Sequence, residues 1–193
     1  MQSQNMAIDH AIHVVVGTIT KEDDKYYNSA IVFTPQKEKL MYHKRALWGW
    51  DKDNFSIGNK GGVFEIEGLK VGIRICFEVR FPEFFRELYR EQTNLNVILF
   101  YDVSDYDDVE RYEMIKAHLR TRAVENVTYT LSVDAISPYQ TAPTALYDRS
   151  GSSLSELNRK EEGLLVYDLE KGKLDFGEQG RKQISDELMK NQC

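Results

Sequence analysis

The first hundred residues alternate short apolar, β-branched runs with turn signals, a pattern that is typical of β-strands joined by hairpins. Pro35-Gln36 marks a turn between two such runs, which are therefore expected to pair, and Gly68 marks a second hairpin in the same way. A charged loop is expected at residues 21–25. The predicted strands of this part of the chain are residues 13–17, 28–34, 40–44, 63–67, 69–76 and 96–100.

Apolar side chains recur at helical spacing in two longer segments. Residues 82–92 have one apolar side, and Pro82 suits the first position of a helix. A longer helix is expected to begin at a cap on Ser104 or Asp105 and to continue through Val124. The remaining predictions are a moderately helical start at residues 1–12, strands at 127–136, 143–147 and 163–168, and a polar helix at 179–190.

Composition changes this picture little. The 193 residues are 41% hydrophobic, which suits a single soluble α/β domain over residues 1–193, and the net charge of −6 argues against a nucleic-acid surface. No apolar run is long enough to cross a membrane, and no leader peptide is recognised at the start of the chain. Cys76 and Cys193 form no disulfide framework, so a reducing cytoplasm is predicted. Scattered histidines predict neither a metal site nor a cofactor.

The candidate chemistry centres on Cys76, which follows an apolar strand and precedes a short polar turn and the helix that Pro82 opens. This order displays a thiol at the end of a rigid strand. The positive end of the following helix points back toward the sulfur, which would favour the thiolate.

A cysteine nucleophile also needs a base for its proton and a cation or N–H donors for the oxyanion that forms on attack. Lys44 ends another predicted strand, and the backbone N–H of Phe77 follows the cysteine directly. Asp51 and Asp53 come soon after Lys44, in an aromatic-rich loop, and a carboxylate is the usual acid or base for such chemistry.

Each of these residues also has an ordinary interpretation. Isolated cysteines are mostly small buried apolar residues, and a lysine at a strand end is usually solvated. Trp48 and Trp50 are more often packing residues than substrate contacts. Residues 102–108 are predicted to be a solvated acidic first turn of a helix rather than a metal site.

Four segments resemble motifs of the nitrilase superfamily of carbon–nitrogen hydrolases, whose members share an αββα sandwich and a Glu-Lys-Cys triad. GIRICFEVRFPE resembles the nucleophile motif of that family, and YHKRAL resembles its lysine motif. FSIGN and RTRAVEN match two further segments in the expected order. These segments are residues 72–83, 42–47, 55–59 and 120–126.

The resemblance implies that Cys76 attacks an amide or nitrile carbon to form a thioester, while Lys44 and the Phe77 N–H hold the developing negative charge. Asp51 stands where many members have a second glutamate. Residues Glu78 and Arg80 are expected to brace the turn. The resemblance further implies a small-molecule amide substrate and a homodimer or higher homo-oligomer, with neither nucleic acid nor membrane as a partner.

The resemblance begins at the helix predicted in residues 1–12, and the strand in residues 13–17 matches the strand that follows that helix in the family. The family starts with a strand, a helix and a second strand that carries the general-base glutamate, usually beside a proline. No Pro-Glu pair precedes Lys44, so the sequence is expected to be an N-terminally truncated sandwich without that glutamate.

Three functions therefore stay open at this point. An amidase-type hydrolase, weak or inactive alone, is the first. A non-catalytic interaction protein that keeps the fold is the second. A thiol redox or acyl-acceptor protein that uses Cys76 without turnover is the third.

Overall fold

The computed structural model describes residues 2–170 and 172–190, and Cys193 lies outside this range. Two β-sheets pack against each other, as expected for a mixed α/β sandwich, and helices cover the larger sheet. The smaller sheet is antiparallel and contains β1 (Val14–Glu22), β2 (Lys25–Phe33) and β3 (Lys39–His43).

The larger sheet has six strands in sequential order, with three parallel strands at its centre. The strands are β4 (Val63–Ile66), β5 (Leu69–Ile75), β6 (Leu95–Phe100), β7 (Tyr129–Asp134), β8 (Ala145–Tyr147) and β9 (Ser153–Glu156). Because β5, β6 and β7 are parallel, their carboxyl ends meet at one edge of the sheet.

Helices occupy the ends and the outer layer of the sandwich. The helices are α1 (Gln2–Asp9), α2 (Trp50–Asn54), α3 (Pro82–Arg90), α4 (Val109–Asn126) and α5 (Phe176–Lys190). α1 packs on β1 and β2, whereas α3 and α4 pack on the larger sheet. A short 3₁₀ helix, Cys76–Arg80, joins β5 to α3.

The apolar strand residues form the core between the sheets. Ala30 and Val32 of β2 meet Ile73 and Ile75 of β5 and Val97 of β6, and all five are buried. Burial on both faces suits the nearly continuous apolar run of β6. In contrast, β5 alternates, and its apolar residues Leu69, Val71, Ile73 and Ile75 face the core between the sheets. Behind the larger sheet, apolar side chains of α3 and α4 form a second cluster. The two hairpins predicted around Pro35 and Gly68 are both present.

Three sequence predictions about local structure were wrong. Residues 21–25 are not a loop, because β1 and β2 continue to a tight turn at Asp23 and Asp24. Helix α4 begins later than expected, since its cap is Asp108 rather than Ser104 or Asp105. The side chain of Asp108 accepts the backbone N–H of Arg111 at 2.9 Å, which satisfies one free donor of the first turn.

The strand predicted at residues 163–168 is absent. That segment pairs with no strand, and Leu164 is 85% exposed. The strand that pairs with β8 at the edge of the larger sheet is β9 (Ser153–Glu156). Apolar runs alone do not reveal which segment finds a partner strand.

No helix in residues 2–170 and 172–190 is long and apolar enough to cross a membrane.

Candidate active site

Cys76 lies directly after β5, at the edge where the parallel strands of the larger sheet end. Its φ is +47°, in the left-handed region that a residue with a Cβ adopts only at some cost. The chain turns sharply there and enters the 3₁₀ helix, so the thiol stands at a strained strand-to-helix turn. Nucleophiles of other hydrolytic folds occupy turns of this kind.

The buried carboxylate of Glu78 holds this turn in place. One oxygen accepts the backbone N–H of Ile75 at 2.7 Å. The other accepts the Tyr42 hydroxyl and the Arg45 N–H, each at 2.7 Å. Since Tyr42 and Arg45 flank Lys44, a single side chain connects the cysteine turn to the lysine segment.

Lys44 lies just beyond β3, and its side chain is only 5% exposed. Its ammonium group is 2.5 Å from Oδ2 of Asp51, which belongs to α2. Its backbone N–H donates to the carbonyl of Asn28 at 2.8 Å, which extends the alignment of β2 with this segment. The lysine therefore enters the site as one half of an ion pair.

A cavity of about 560 Å³ brings these groups together between the two sheets. The sequence predicted that Cys76, Lys44 and Asp51 would lie near one another, and all three line this cavity. The other lining residues are Gly17, Thr18, Ile19, Asn28, Trp50, Phe55, Ile75, Leu99, Phe100 and Tyr101.

Neither Phe77 nor Arg80 is among the residues that line this cavity. The ring of Phe77 packs edge-on against Phe81 with centroids 5.1 Å apart, and the guanidinium of Arg80 lies 5.7 Å from the Phe77 ring centroid.

Trp50 packs edge-on against Phe55, whereas Trp48 is 73% exposed and does not line the cavity.

Arg74 is a structural residue that the sequence reasoning missed. It is fully buried in β5 and donates to the carbonyls of Phe84, at 2.6 Å, and of Gly61, at 2.7 Å. Arg45 and Glu87 form an ion pair beside it. A charged residue inside an apolar strand is the signal that could have indicated such an anchor, because a buried charge needs several partners.

Burial controls the ionisation of Cys76. Desolvation raises the pKa of the thiol to about 12, Lys44 opposes this increase, and the carboxylates of Asp102, Asp134 and Asp51 add to it. The thiol is therefore protonated at neutral pH. Desolvation therefore outweighs the nearby cation and opposes the thiolate, which the positive end of the following helix was expected to favour.

Two aspartates at the same sheet edge were also missed, of which Asp102 is buried and Asp134 is partly buried. The carboxylate of Asp134, at the end of β7, accepts backbone N–H groups of Asp102 (3.1 Å), Ala135 (2.9 Å) and Ala142 (3.2 Å). Asp102 is 7% exposed and pairs with Arg111 at 2.5 Å, so it is not part of a solvated first turn as predicted. Together the two aspartates fix the loops after β6 and β7 beside Cys76.

Burial also affects Asp134 itself. Desolvation raises its pKa to about 7, although the three backbone N–H donors act in the opposite direction.

No group of three or more His, Cys, Asp or Glu side chains in the described part of the chain is arranged to hold a metal ion.

The fold and the cavity define a mixed α/β sandwich protein with a cysteine and a lysine–aspartate pair at one sheet edge. Residues 2–175 match the family of carbon–nitrogen hydrolases, and the chain belongs to this family.

Known relatives agree with this assignment. A nitrilase from Pyrococcus abyssi is 30% identical over 138 residues, which cover 68% of this chain and 48% of the relative. An (R)-stereoselective amidase from Pseudomonas is 26% identical over 125 residues, which cover 65% of this chain and 44% of the relative. The chain thus spans about half the length of the curated relatives it matches.

Solved structures support the fold. The amidase of Nesterenkonia sp. AN1 superposes with a TM-score of 0.76 at 22% identity, over 98% of this chain and 71% of that one. The expected nitrilase-like sandwich is therefore confirmed.

Replacing Glu78 tests whether its carboxylate joins the two halves of the site. Glu78→Gln places an amide NH₂ group where a backbone N–H or the Tyr42 hydroxyl now donates, so one buried donor loses its acceptor. We expect the free energy of unfolding to fall by about 2–3 kcal/mol in urea titrations. Glu83→Gln, an exposed change in the neighbouring helix, should stay within about 0.5 kcal/mol of the wild type. Equal stability of the two variants would contradict this role.

Lys44→Met tests the electrostatic contribution of the buried lysine. Lys44 lowers the pKa of Cys76, so its removal should raise that pKa and reduce the thiolate fraction. The rate of Cys76 alkylation by iodoacetamide at pH 9 is expected to fall about tenfold or more. Lys52→Met removes an exposed lysine of α2 and should leave the rate unchanged. Alkylation of Lys44→Met at the wild-type rate would show that the cation does not act on the thiol.

Asp134→Asn tests the raised pKa at the end of β7. The folded protein keeps the Asp134 proton up to about pH 7, whereas the unfolded chain loses it near pH 4. This group therefore stabilises the fold most at low pH, and its contribution is lost as the pH rises from about 4 to 7. The variant should lack this decline in urea titrations between pH 5 and 7, and the exposed Asp53→Asn should retain it. If the free energy of unfolding depended on pH in the same way in all three proteins, a raised pKa at Asp134 would be contradicted.

Proposed function

We propose that this protein is an amidase-type carbon–nitrogen hydrolase that cleaves a small non-peptide amide or carbamoyl compound through a thioester on Cys76. The observation that carries the proposal is the single cavity that Cys76 shares with the Lys44–Asp51 ion pair. This arrangement places a nucleophile, a cation and a carboxylate around one space large enough for a small amide.

In the proposed reaction, the Cys76 sulfur bonds to the amide carbon, and the carbonyl oxygen becomes an oxyanion. Lys44 and the backbone N–H of Phe77 stabilise that charge, and Asp51 holds the ammonium group of Lys44 in position. The C–N bond then breaks, and the nitrogen leaves as ammonia or an amine after the general base has passed to it the proton taken from the thiol. Water attacks the thioester, which releases the acid and restores the thiol.

The thiol requires a base, because burial keeps it protonated at neutral pH. Among the described residues that line the cavity, Asp51 is the only carboxylate, and it is paired with Lys44. We therefore propose that the general-base glutamate implied by the family resemblance lies outside this sequence. A positioned general base contributes about 10²–10⁴ in rate, so the chain alone is expected to be a weak enzyme.

Amidases among the relatives favour an amide as the substrate in this proposal, whereas the relative from Pyrococcus abyssi is a nitrilase. One curated relative is a stereoselective amidase and another is a 2-oxoglutaramate amidase from Bacillus subtilis. The Nesterenkonia amidase has been solved in complex with butyramide, and also with acrylamide added at its active-site cysteine. From the resemblance we further propose a single domain, a homodimer or higher homo-oligomer, and a cytoplasmic location.

A second candidate function is a non-catalytic binding or interaction protein that keeps the fold. The observation that favours it is the same ion pair, since Asp51 is committed to Lys44 and is not free to accept the thiol proton. Such a protein would bind a small amide in the cavity and release it unchanged.

Ammonia release from butyramide separates the two functions. We expect slow release by the chain alone, and a rate about 10²–10⁴ higher when a strand–helix–strand segment carrying the base glutamate is added as a separate polypeptide. Cys76→Ala should abolish release in both cases, because no thioester can form.

Undiminished release by Cys76→Ala would refute the thioester route. If wild-type protein releases no ammonia with or without the added segment, while it still binds butyramide, the binding function is the correct one.

A further inference from the structure

The cavity beside Cys76 has an uneven distribution of charge and polarity. Of its described lining residues, only Lys44 and Asp51 carry a charge at neutral pH, and they neutralise each other at 2.5 Å. No other lysine, arginine or histidine lines the space. A carboxylate or ammonium group on a ligand would therefore lose its hydration there without finding a counter-charge, which is costly.

Most of the remaining surface is apolar. Ile75, Leu99 and Phe100 form the inner wall, and Ile75 and Phe100 are nearly buried. Toward solvent the wall continues as an aromatic rim, which we define as Trp50, Phe55 and Tyr101. The rim is open, since Trp50 is 66% and Tyr101 76% exposed.

Trp50 is the rim residue best placed to contact a ligand. Phe55 packs edge-on against it with centroids 5.4 Å apart, which supports one edge of the indole and leaves the rest of the ring accessible. A planar apolar group that enters the cavity can stack on an accessible indole face. Trp48, two residues earlier, is similarly exposed but lies outside the cavity lining.

We infer that the cavity selects amides whose remaining part is uncharged and apolar, preferably aromatic, and that Trp50 determines this preference. This inference rests on the proposed function, because it names the substrate class of the same site. The scissile amide would lie at the polar end, near Cys76, Lys44 and the side chain of Asn28. The apolar substituent would extend along Leu99 to the aromatic rim.

Dissociation constants test the inference without requiring turnover. In a Cys76→Ala background, ligand-observed NMR would compare phenylacetamide with acetamide, and neutral succinamide with its monoanion succinamate. Phenylacetamide is expected to bind about tenfold more tightly than acetamide, and succinamide about tenfold more tightly than succinamate. The second pair has nearly equal size, so it isolates the effect of charge.

Two matched tryptophan variants locate the preference. Trp50→Ala should weaken phenylacetamide binding about tenfold and change acetamide binding by less than about twofold. Trp48→Ala should alter neither constant. Succinamate binding as tight as that of succinamide, an equal effect of the two tryptophan variants, or no detectable phenylacetamide binding at about 10 mM would each overturn the inference.

Failure of the inference is distinguishable from failure of the proposed function. Ammonia release from acetamide, together with binding that does not favour phenylacetamide, would leave the hydrolase and remove the apolar preference. Selective binding of phenylacetamide without ammonia release, even with the added base segment, would leave the preference and remove the hydrolase.

Discussion

The site depends on the hydrogen bonds that the buried carboxylate of Glu78 accepts. It accepts hydrogen bonds from Ile75, before the cysteine, and from Tyr42 and Arg45, on either side of the lysine. These segments belong to different sheets, so their relative position is not set by strand pairing. A charged acceptor shared by three donors in a low-dielectric interior is a strong and geometrically demanding contact. It explains how a thiol and an ammonium group from opposite sheets come to share one cavity.

Electrostatic balance is the second constraint. Cys76 is partly buried and lies near three carboxylates, while Lys44 supplies the cation that lowers its pKa. That cation is itself held by Asp51, whose carboxylate keeps the lysine oriented but reduces its net effect. The described residues thus place a thiol and an ammonium group around one cavity. The proposed hydrolysis would need a further group to deprotonate the thiol, because positioning and proton transfer are separate requirements of catalysis.

The sequence predicted the central strands, two hairpins and the grouping of Cys76, Lys44 and Asp51, because these follow from local patterns. Apolar runs, turn residues and a cysteine at a strand end are visible within a few positions of one another. The partners of Asp134 and Arg74 could not be found in this way, since they lie 8 to 32 and 10 to 13 residues away along the chain. Residues 163–168 were predicted as a strand, but β9 pairs at the sheet edge instead. Chain geometry, and not the composition of a segment alone, decides which segment pairs there.

We propose that Cys76 forms a covalent acyl intermediate in this cavity. Its most direct test is intact-protein and peptide mass spectrometry after incubation with p-nitrophenyl butyrate, an activated ester whose acylation needs little help from a base. We expect a butyryl group on Cys76 that hydroxylamine removes. On Lys44→Met this group should form more slowly than on the wild type. An unmodified Cys76, or a butyryl group that accumulates on other side chains instead, would contradict the proposal.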